Sequence, residues 1–429
     1  MIHLASRVPD PAVRRLTATL YGYAFLSDLV LLYPLCVVFF ADTGLSVGQI
    51  SSLFVVWSAA GILFEVPSGA WADVVSRRLL LCLAPLVTAA AFALWVLVPS
   101  YPAFAVGFLL WGAAGALVSG ALEALVWTEL DRLGAVGRYA RVLGRARTAG
   151  VLGVVSSGVL AGPVFAVGGY PVVGAASVLA CLLATAVAAR FPEHRPPAAD
   201  LAGEREPGTA PATDPDDDGD LGWWDTLRAG VAQVRTRPPV RAAVLLVAVV
   251  AADWGALDEF TPLLALDIGV GAQVVPLLLL LLWAGVTVGG LLAPAGERLS
   301  HRGYAALLGL VGVALAGGAL LEHPAGFVLL AVAFGAAQLA TVLADARLQA
   351  RITGSSRATV TSMAGMATDV LIIGTYACFG LLATVAGNAV AFAVTAGPYL
   401  IVALVVLTRH RRTAAVPGGV AAATANVPD

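Results

Sequence analysis

The chain has 429 residues, of which 59% are hydrophobic and 12% charged, with a formal net charge of −2. A soluble domain carries roughly 25% charged residues, so this composition indicates that lipid surrounds most of the chain. The near-neutral charge and the lack of a basic stripe give no reason to expect a nucleic-acid partner, and we predict none.

The remaining composition excludes several kinds of site. The four cysteines lie far apart within apolar runs, at Cys36, Cys82, Cys181 and Cys378. Their spacing fits neither a disulfide framework nor a zinc site, so we interpret them as small core residues. The sequence also shows no nucleotide-binding loop, catalytic triad pattern or metal-ligand cluster. We therefore expect no cofactor, no metal and no enzymatic activity.

Apolar stretches of about 20 residues can cross the ~30 Å hydrocarbon core of a bilayer as helices. The sequence predicts twelve such spans, near 17–40, 47–71, 79–99, 102–127, 142–167, 171–190, 241–266, 272–294, 303–321, 324–345, 358–384 and 387–408. The first apolar run is too long for the core of a signal peptide, so we expect it to remain as a span.

The arginines predict which side of the membrane each connection faces. All 25 basic residues are arginines, which is typical of a GC-rich bacterial genome. They lie at the two termini, in the central segment and in the even-numbered connections, and the odd-numbered connections contain none. The positive-inside rule therefore places both termini and the central segment in the cytoplasm. One missed span would invert half of these connections, so the pattern also supports twelve spans in a bacterial inner membrane.

Polar residues recur in register along the chain, which indicates an internal repeat. Asp28 and Asp42 correspond to Asp253 and Asp267 at an offset of 225 residues. The repeat continues with small shifts through the pairs Gln49 and Gln273, Asp73 and Glu297, Ser76 and Ser300, Arg78 and Arg302, Glu129 and Asp345, and Arg141 and Arg357. Transporters are often built from such repeats, with the substrate site near the membrane midplane between them.

The predicted fold is an all-α membrane protein of two pseudo-symmetric six-helix bundles. The predicted segments are a first bundle at 1–190, a cytoplasmic linker at 191–240, a second bundle at 241–412 and a disordered cytoplasmic tail at 413–429. The linker is rich in Pro, Ala, Asp and Glu and reads as disordered, with a metal site in its acidic run as the less favoured alternative. Within it, apolar residues at helical spacing near 223–237 predict an amphipathic helix on the inner membrane face.

Carboxyl groups inside the spans are the sharpest chemical signal. A charge at the bilayer centre costs ~2.5–3.5 kcal/mol on insertion scales, so such residues usually line a cavity or pathway. The candidates for proton coupling or substrate binding are Asp28, Asp253, Asp258, Glu259, Asp369 and Glu123. Burial disfavours the charged form of a carboxyl, which lets it bind and release protons near neutral pH. For Glu123, and for Glu65 nearby in depth, the alternative is hydrogen bonding near the membrane surface.

Aromatic residues near these acids offer a second kind of contact. A lipophilic cation could stack on their rings, and the candidates are Tyr21, Tyr23, Tyr33, Trp57, Trp254, Phe260 and Tyr376. Each of them taken alone is also explained by packing or by anchoring at the membrane interface.

The connection between the second and third spans carries a recognisable motif. It reads Gly-Ala-Trp-Ala-Asp-Val-Val-Ser-Arg-Arg from residue 69. It resembles the signature of the major facilitator superfamily, G-x-x-x-D-R-x-G-R-R, and matches it at Gly69, Asp73, Arg77 and Arg78. The resemblance implies the major facilitator fold and a gating loop in which Asp73 helps to lock the cytoplasmic side. The alternative is that the two arginines only set topology.

The fifth span carries a second motif. Gly158, Gly162 and Pro163, followed by Gly168 and Gly169, resemble the antiporter signature of drug–proton exporters in that superfamily, G-x-x-x-G-P-x-x-G-G. The last spacing is four residues here instead of two. Small residues four apart let helices pack closely, and proline bends a helix, so ordinary packing is the alternative.

Together these features predict a proton-coupled exporter of a small amphiphilic or cationic compound, such as a drug or secondary metabolite. We expect a monomer whose partners are the small-molecule substrate, protons and the lipid bilayer. The first alternative is an importer or uniporter of the same fold. A membrane enzyme or receptor is a further alternative, which the lack of catalytic motifs disfavours.

Overall fold

The computed structural model describes residues 11–119, 121–194, 223–352 and 357–414, with the backbone alone at 65–74, 223–227, 229–230, 357–358 and 409–414. All regular secondary structure in these ranges is helical. The helices of the first part of the chain are α1 (Pro11–Asp28), α2 (Cys36–Asp42), α3 (Val47–Val74), α4 (Arg77–Leu97), α5 (Tyr101–Val118), α6 (Ala121–Arg132) and α7 (Tyr139–Ala188).

The later helices follow the central segment. They are α8 (Trp223–Thr236), α9 (Pro238–Leu257), α10 (Thr261–Asp267), α11 (Val275–Leu291), α12 (Ala293–Gly296), α13 (His301–Leu320), α14 (Gly326–Gln349), α15 (Arg357–Ala386), α16 (Asn388–Thr395) and α17 (Gly397–Ala414). Short 3₁₀ turns at Tyr33–Leu35, Val136–Arg138 and Asp258–Phe260 join some of them.

The helices are consistent with the twelve predicted spans. Ten segments are long and apolar enough to cross a membrane, and α11 adds a shorter apolar helix. The segment Val136–Ala188 has 53 residues. At 1.5 Å per residue it is about 80 Å long, more than twice the hydrocarbon thickness. It breaks at Gly168 and Gly169, whose backbone angles are not helical, so it provides two spans.

The internal repeat reappears in the backbone. The 3₁₀ turn Tyr33–Leu35 and helix α2 have counterparts in Asp258–Phe260 and α10, all at the offset of 225 residues. The glycines that end these short helices, Gly44 and Gly269, both have positive φ, at 89° and 77°. The first and seventh spans are therefore broken at equivalent places, which hydropathy alone did not predict.

The described residues form two compact units. The first takes in Met1–Ala229, Asp258–Leu280 and Ile372–Val385, and the second Gly230–Leu257, Leu281–Leu371 and Ala386–Asp429, as far as the structure describes them. These units are defined by contact and differ from the predicted repeat halves, because parts of spans seven, eight and eleven pack with the first unit. The halves 1–190 and 241–412 therefore remain a prediction about the repeat.

Each unit has its own core. In the first unit α1, α4, α6 and α7 share a cluster of buried residues that includes Leu16, Leu81, Leu125 and Ala184. In the second unit α8, α9, α14 and α15 share another, which includes Val234. Val234 near the end of α8 thus packs against protein, and the location of α8 on the inner membrane face stays a prediction.

The predicted linker begins too early, because its first residues pack against the first unit. Phe191 is buried in the core of the first unit, with its ring edge-to-face to Tyr23 at 5.7 Å. The backbone N–H of His194 donates a 2.9 Å hydrogen bond to the buried Glu129 carboxylate. One aromatic contact and one charge-assisted bond thus hold residues whose neighbours in sequence have a disorder-prone composition. The rest of the predicted linker up to residue 222, and the tail from 415, lie outside the described residues.

Candidate functional site

The break in span one lies just after Asp28, which is the last residue of α1. A break inside the bilayer frees backbone groups, and these need partners because lipid offers none. The buried hydroxyl of Ser157 donates to the carbonyl of Val30 at 2.6 Å. The buried hydroxyl of Ser177 accepts from the N–H of Leu32 at 2.9 Å. Two serines of α7 therefore stabilise the break, and sequence reasoning missed both.

Asp28 lies at this break with an exposed side chain. Gly150 and Gly153 of α7 make room for it, because a Cβ on either would meet Asp28 atoms at closer than normal van der Waals distance. Asp28 lies within the segment Pro11–Asp42, which is long and apolar enough to span a membrane, and it ends helix α1 close to α7.

The break in span seven carries three of the candidate acids. Asp253 is buried in the last turns of α9, and Asp258 and Glu259 form the 3₁₀ turn that follows. The Thr261 hydroxyl donates to the Asp258 carbonyl at 2.6 Å and so caps the turn. Asp258 and Glu259 thus lie in a backbone irregularity, and transporters form binding sites at such irregularities.

A buried hydroxyl touches the helix that holds Asp253. The Tyr399 hydroxyl accepts from the Trp254 N–H and donates to the Val250 carbonyl, both at 3.1 Å. It therefore bonds to two backbone groups four residues apart in α9, one turn before the break. Side chains that enter a helical hydrogen-bond ladder are a known cause of bends. Sequence reasoning did not identify Tyr399.

Glu259 is held by a residue from span one. Its side chain is buried, and its Oε1 atom accepts a 3.0 Å hydrogen bond from the Tyr33 hydroxyl. Tyr33 opens the 3₁₀ turn of span one, and by the repeat offset its counterpart in span seven is Asp258. The two equivalent breaks therefore meet through a hydroxyl on one side and a carboxyl on the other. The pairing could not be read from the sequence, although Tyr33 was among the aromatic candidates.

Aromatic rings pack beside this bond. We call the rings of Phe54, Phe260, Tyr376 and Phe379 the aromatic cluster. Phe260 stacks on Phe379 with centroids 3.9 Å apart, and Phe54 stacks on Tyr376 at 5.3 Å. Phe260 and Tyr376 were candidates for stacking on a lipophilic cation, with packing as the alternative, and in this conformation other protein rings stack on them.

Glycines of the fifth span permit another close contact. A Cβ on Gly158 would lie 2.8 Å from Leu280 side-chain atoms, and one on Gly162 would overlap the carbonyl oxygen of Gln273. Pro163 follows within the same helix. The first three positions of the antiporter-like motif therefore allow α7 to approach the beginning of span eight, as small residues do in membranes.

The last two positions of that motif have a different role. Gly168 and Gly169 form the turn between the fifth and sixth spans, with φ of 64° at Gly169. The turn directs Tyr170 to donate a 2.5 Å hydrogen bond to Asp42. They lie just after the predicted end of the fifth span at residue 167 and take no part in its packed helix.

We call the set of contacts Tyr33–Glu259, Phe54–Tyr376 and Gly162–Gln273 the outer contact. All lie within the first unit, and each joins a residue of the first six spans to a residue of the last six. They cluster toward the connections that contain no arginine, which the positive-inside rule assigns to the outside.

The loop after span two is held by the start of the central segment. The Glu193 carboxylate accepts from the Ser76 hydroxyl and from the Arg77 N–H, the latter at 2.7 Å. The Arg77 side chain donates to the Ala124 carbonyl at 3.2 Å and to the Thr128 hydroxyl at 3.0 Å. Arg77 thus has a structural partner in α6, beyond setting topology.

Other candidates of this loop are less defined. Arg78 is exposed. For Glu65, Gly69 and Asp73 the structure describes the backbone alone. The gating role of Asp73 therefore stays a prediction.

Glu123 is half-buried in the first turn of α6, and Asp369 is half-buried in α15.

Comparisons with known proteins agree with this architecture. No curated protein matches the chain. Among solved structures, the nucleoside transporter NupG superposes with a TM-score of 0.71 at 14% identity, covering 92% of this chain and 99% of that one. A bacterial homologue of the human lysosomal transporter Spinster, in an inward-facing conformation, gives 0.66 at 14% identity, covering 94% and 98%. A D-xylose–proton symporter gives 0.62 at 15%, covering 92% and 96%.

These low identities show the fold alone. The family model described as Major Facilitator Superfamily matches residues 18–367, which is most of the chain. The resemblance inferred from the loop at 69–78 is thereby confirmed, as is the all-α membrane fold. The chain belongs to the major facilitator superfamily, and it is a multi-pass membrane transporter.

Proposed function

We propose that this transporter exports a small amphiphilic or cationic compound in exchange for protons, by alternating access. The observation that carries the proposal is the burial of Asp253 and Glu259 on either side of the break in span seven. A carboxyl group inside a membrane span is costly to insert, so such groups usually line a cavity or pathway. A protein that uses a proton gradient needs a group that binds a proton on one side and releases it on the other.

The acids differ in how well their surroundings fit that role. Asp28 has an exposed side chain at the break in span one. Asp253 and Glu259 are shielded, so a change of conformation must expose them first. We therefore propose Asp28, Asp253, Asp258 and Glu259 as the coupling or substrate-binding group, with Glu123 and Asp369 as further candidates. Gly69, Asp73, Arg77 and Arg78 are proposed as the gating loop.

Export is proposed from the motif in span five. Gly158 and Gly162 bring α7 against span eight, and the motif resembles that of drug–proton exporters. Uptake is the second candidate, because a D-xylose–proton symporter shares the fold. Transport into inverted and right-side-out vesicles separates these two directions. We propose an inner-membrane location in a bacterium, with both termini in the cytoplasm.

The test begins with a substrate. A susceptibility panel in a host that lacks its own efflux pumps identifies compounds whose toxicity the chain reduces. Purified protein in liposomes is then given an imposed pH gradient. One proton crossing 100 mV supplies about 2.3 kcal/mol, enough for a substrate gradient of roughly fiftyfold. We expect uphill transport by the wild type and by the control Asp131→Asn, an exposed acid in α6.

We expect Asp253→Asn and Asp28→Asn to abolish uphill transport and to retain exchange without a gradient, because an amide keeps hydrogen bonds but carries no proton. Uphill pumping by both variants and by their combination would move the coupling role to Asp258, Glu259 or Asp369. Wild-type transport that ignores the pH gradient would refute proton coupling.

A further inference from the structure

An arginine near the end of α14 is held against a buried ring in the second unit. The guanidinium carbon of Arg347 lies 3.7 Å from the centroid of the Tyr304 ring, which belongs to the first turn of α13. Tyr304 is fully buried, and its hydroxyl donates a 3.0 Å hydrogen bond to the Ala340 carbonyl of α14. The ring is therefore fixed by its own hydrogen bond, and its face gives the half-buried Arg347 side chain a defined place.

The stack leaves the hydrogen-bonding edge of Arg347 available. A guanidinium stacks through its face, whereas its N–H groups lie in its plane and point outward. Within the described parts of the chain, neither Asp345 nor Glu297 forms an ion pair with Arg347, and no other group accepts a hydrogen bond from its side chain. In the first unit, by contrast, Arg132 pairs with Glu129 at 3.2 Å. The edge of Arg347 is thus held in position to bind an external acceptor.

Arg351 adds a second positive charge beside this edge. It follows four residues later, just after the end of α14, with an exposed side chain, and it interacts electrostatically with Arg347. Two like charges repel, so an anion that contacts both stabilises the arrangement. The offset that pairs Glu129 with Asp345 in the repeat places Asp131 where the second copy has Arg347. The basic character at this place therefore belongs to the second copy.

The depth of the stacked pair indicates which anion reaches it. Span ten is predicted to end at residue 345, on the cytoplasmic side. At 1.5 Å per residue Arg347 lies about 3 Å outside the hydrocarbon core, within a headgroup region of roughly 5–7 Å. Two to three turns deeper, α13 exposes Leu310 and Val313, against which acyl chains can lie. Phosphate groups of the inner leaflet therefore lie at the level of Arg347.

We propose that Arg347 and Arg351 bind the phosphate group of an anionic phospholipid of the inner leaflet, with Tyr304 as the residue that orients the Arg347 guanidinium. The planar edge of Arg347 donates two parallel hydrogen bonds to phosphate oxygens, and Arg351 contributes its charge. A headgroup without its own cation fits best, because two arginines repel a choline or ethanolamine ammonium. A free phosphate ion offers the same chemistry, and the membrane depth favours the lipid. The site depends on neither the direction nor the coupling of transport.

The test measures lipid binding to the purified full chain by native mass spectrometry. Phosphatidylglycerol and phosphatidylcholine with the same acyl chains are titrated separately, and the dissociation constant of the first bound lipid is determined. The salt concentration is about 0.15 M, at which exposed charges more than ~8 Å apart are screened. Each arginine near an anionic surface contributes about a fivefold gain in affinity, so we expect the wild type to prefer phosphatidylglycerol by roughly 30-fold.

Substitutions assign the preference to these two arginines. Arg351→Gln should reduce it about fivefold, and Arg347→Gln should reduce it further, because it also removes the paired hydrogen bonds. Arg347→Lys keeps the charge without the planar edge, so its affinity should lie between those of the wild type and Arg347→Gln. Tyr304→Phe keeps the ring and should match the wild type. The control is Arg241→Gln, which removes an exposed arginine of the same unit at the predicted cytoplasmic end of span seven and should keep the preference.

Several results overturn the proposal. They are equal binding of the two lipids by the wild type, a preference that survives Arg347→Gln, or an equal loss in Arg241→Gln. Wild-type affinity in Arg347→Lys would show that charge alone acts and that the stacked guanidinium forms no site. Inorganic phosphate is the last arm: if it displaces phosphatidylglycerol from the wild type at equal ionic strength and binds as tightly, the site belongs to a free anion. If Arg347→Gln does not fold, Arg351→Gln and Arg347→Lys decide.

Discussion

Gly162→Ala tests whether the close approach of α7 to span eight holds the outer contact together. The added Cβ would lie 3.2 Å from the carbonyl carbon of Gln273 and would overlap its oxygen. Both are backbone atoms, so no side-chain rotation relieves the clash, and the two segments must move apart. Gly158→Ala should disturb the packing less, because the added Cβ there meets only the side chain of Leu280.

The size of the effect of Gly162→Ala follows from the free-energy cost of overpacking. One extra methyl group in a tightly packed contact typically costs ~1–3 kcal/mol. A tenfold change in an equilibrium corresponds to ~1.4 kcal/mol, so the ratio of closed to open outer contact should fall roughly 5- to 150-fold. The same cost should not apply at Gly144 in α7, where nothing lies within 4 Å of an added Cβ.

The native Cys36 reports on this equilibrium. It is buried at the start of α2, near Glu259, and we expect a reagent to reach it from outside when the outer contact opens. In a variant whose other three cysteines are alanine, a charged thiol reagent added outside should modify Cys36 roughly 5- to 150-fold faster in Gly162→Ala, following the population ratio above. Gly144→Ala should leave the rate unchanged. Equal rates for both substitutions in folded protein would refute the reasoning that Gly162 serves close approach.

Three further predictions address other parts of the chain. Cysteines at Ser100 and Arg138 should react with impermeant maleimide from opposite sides, and labelling of both from one side would overturn the span count. Asp73→Asn should slow transport by weakening the cytoplasmic gate, and wild-type rates at every substrate concentration would contradict this role. Tyr399→Phe should impair uphill transport but add little to Asp253→Asn, since its hydroxyl holds the turn around that acid; fully additive losses in the double variant would show an independent effect.

The sequence predicts the spans and their repeat well, because both depend on local hydropathy and on polar residues in register. The N-terminal caps of α4 and α13 illustrate this. Ser76 and Ser300, paired in the repeat, each accept from the N–H three residues later at 3.1 Å. Capping chemistry is local, so a serine before an apolar run carries the information by itself.

The breaks in spans one and seven could not be predicted in the same way. Hydropathy continues across both, and Pro34 in the 3₁₀ turn of the first break does not by itself fix where the helix opens. Its partners, Ser157 and Ser177, lie 127 and 145 residues away from the backbone groups that they bind. Whether a helix opens inside a bilayer depends on such distant partners, because the freed groups cannot bond to lipid. The same holds for the Tyr33–Glu259 pair, whose members are 226 residues apart.

The repeat gives the two breaks the same backbone geometry, but only the 3₁₀ turn of span seven carries carboxyl groups. At the equivalent position in span one, Tyr33 stands where span seven has Asp258, and Pro34 stands where it has Glu259. The first break therefore offers a hydroxyl donor and the second offers acceptors that can bind a proton. A symmetric pair of carboxyls facing each other would repel, and a symmetric pair of phenols would remain neutral at physiological pH. Divergence of the two copies thus gives this contact a hydroxyl donor on one side and a carboxyl acceptor on the other.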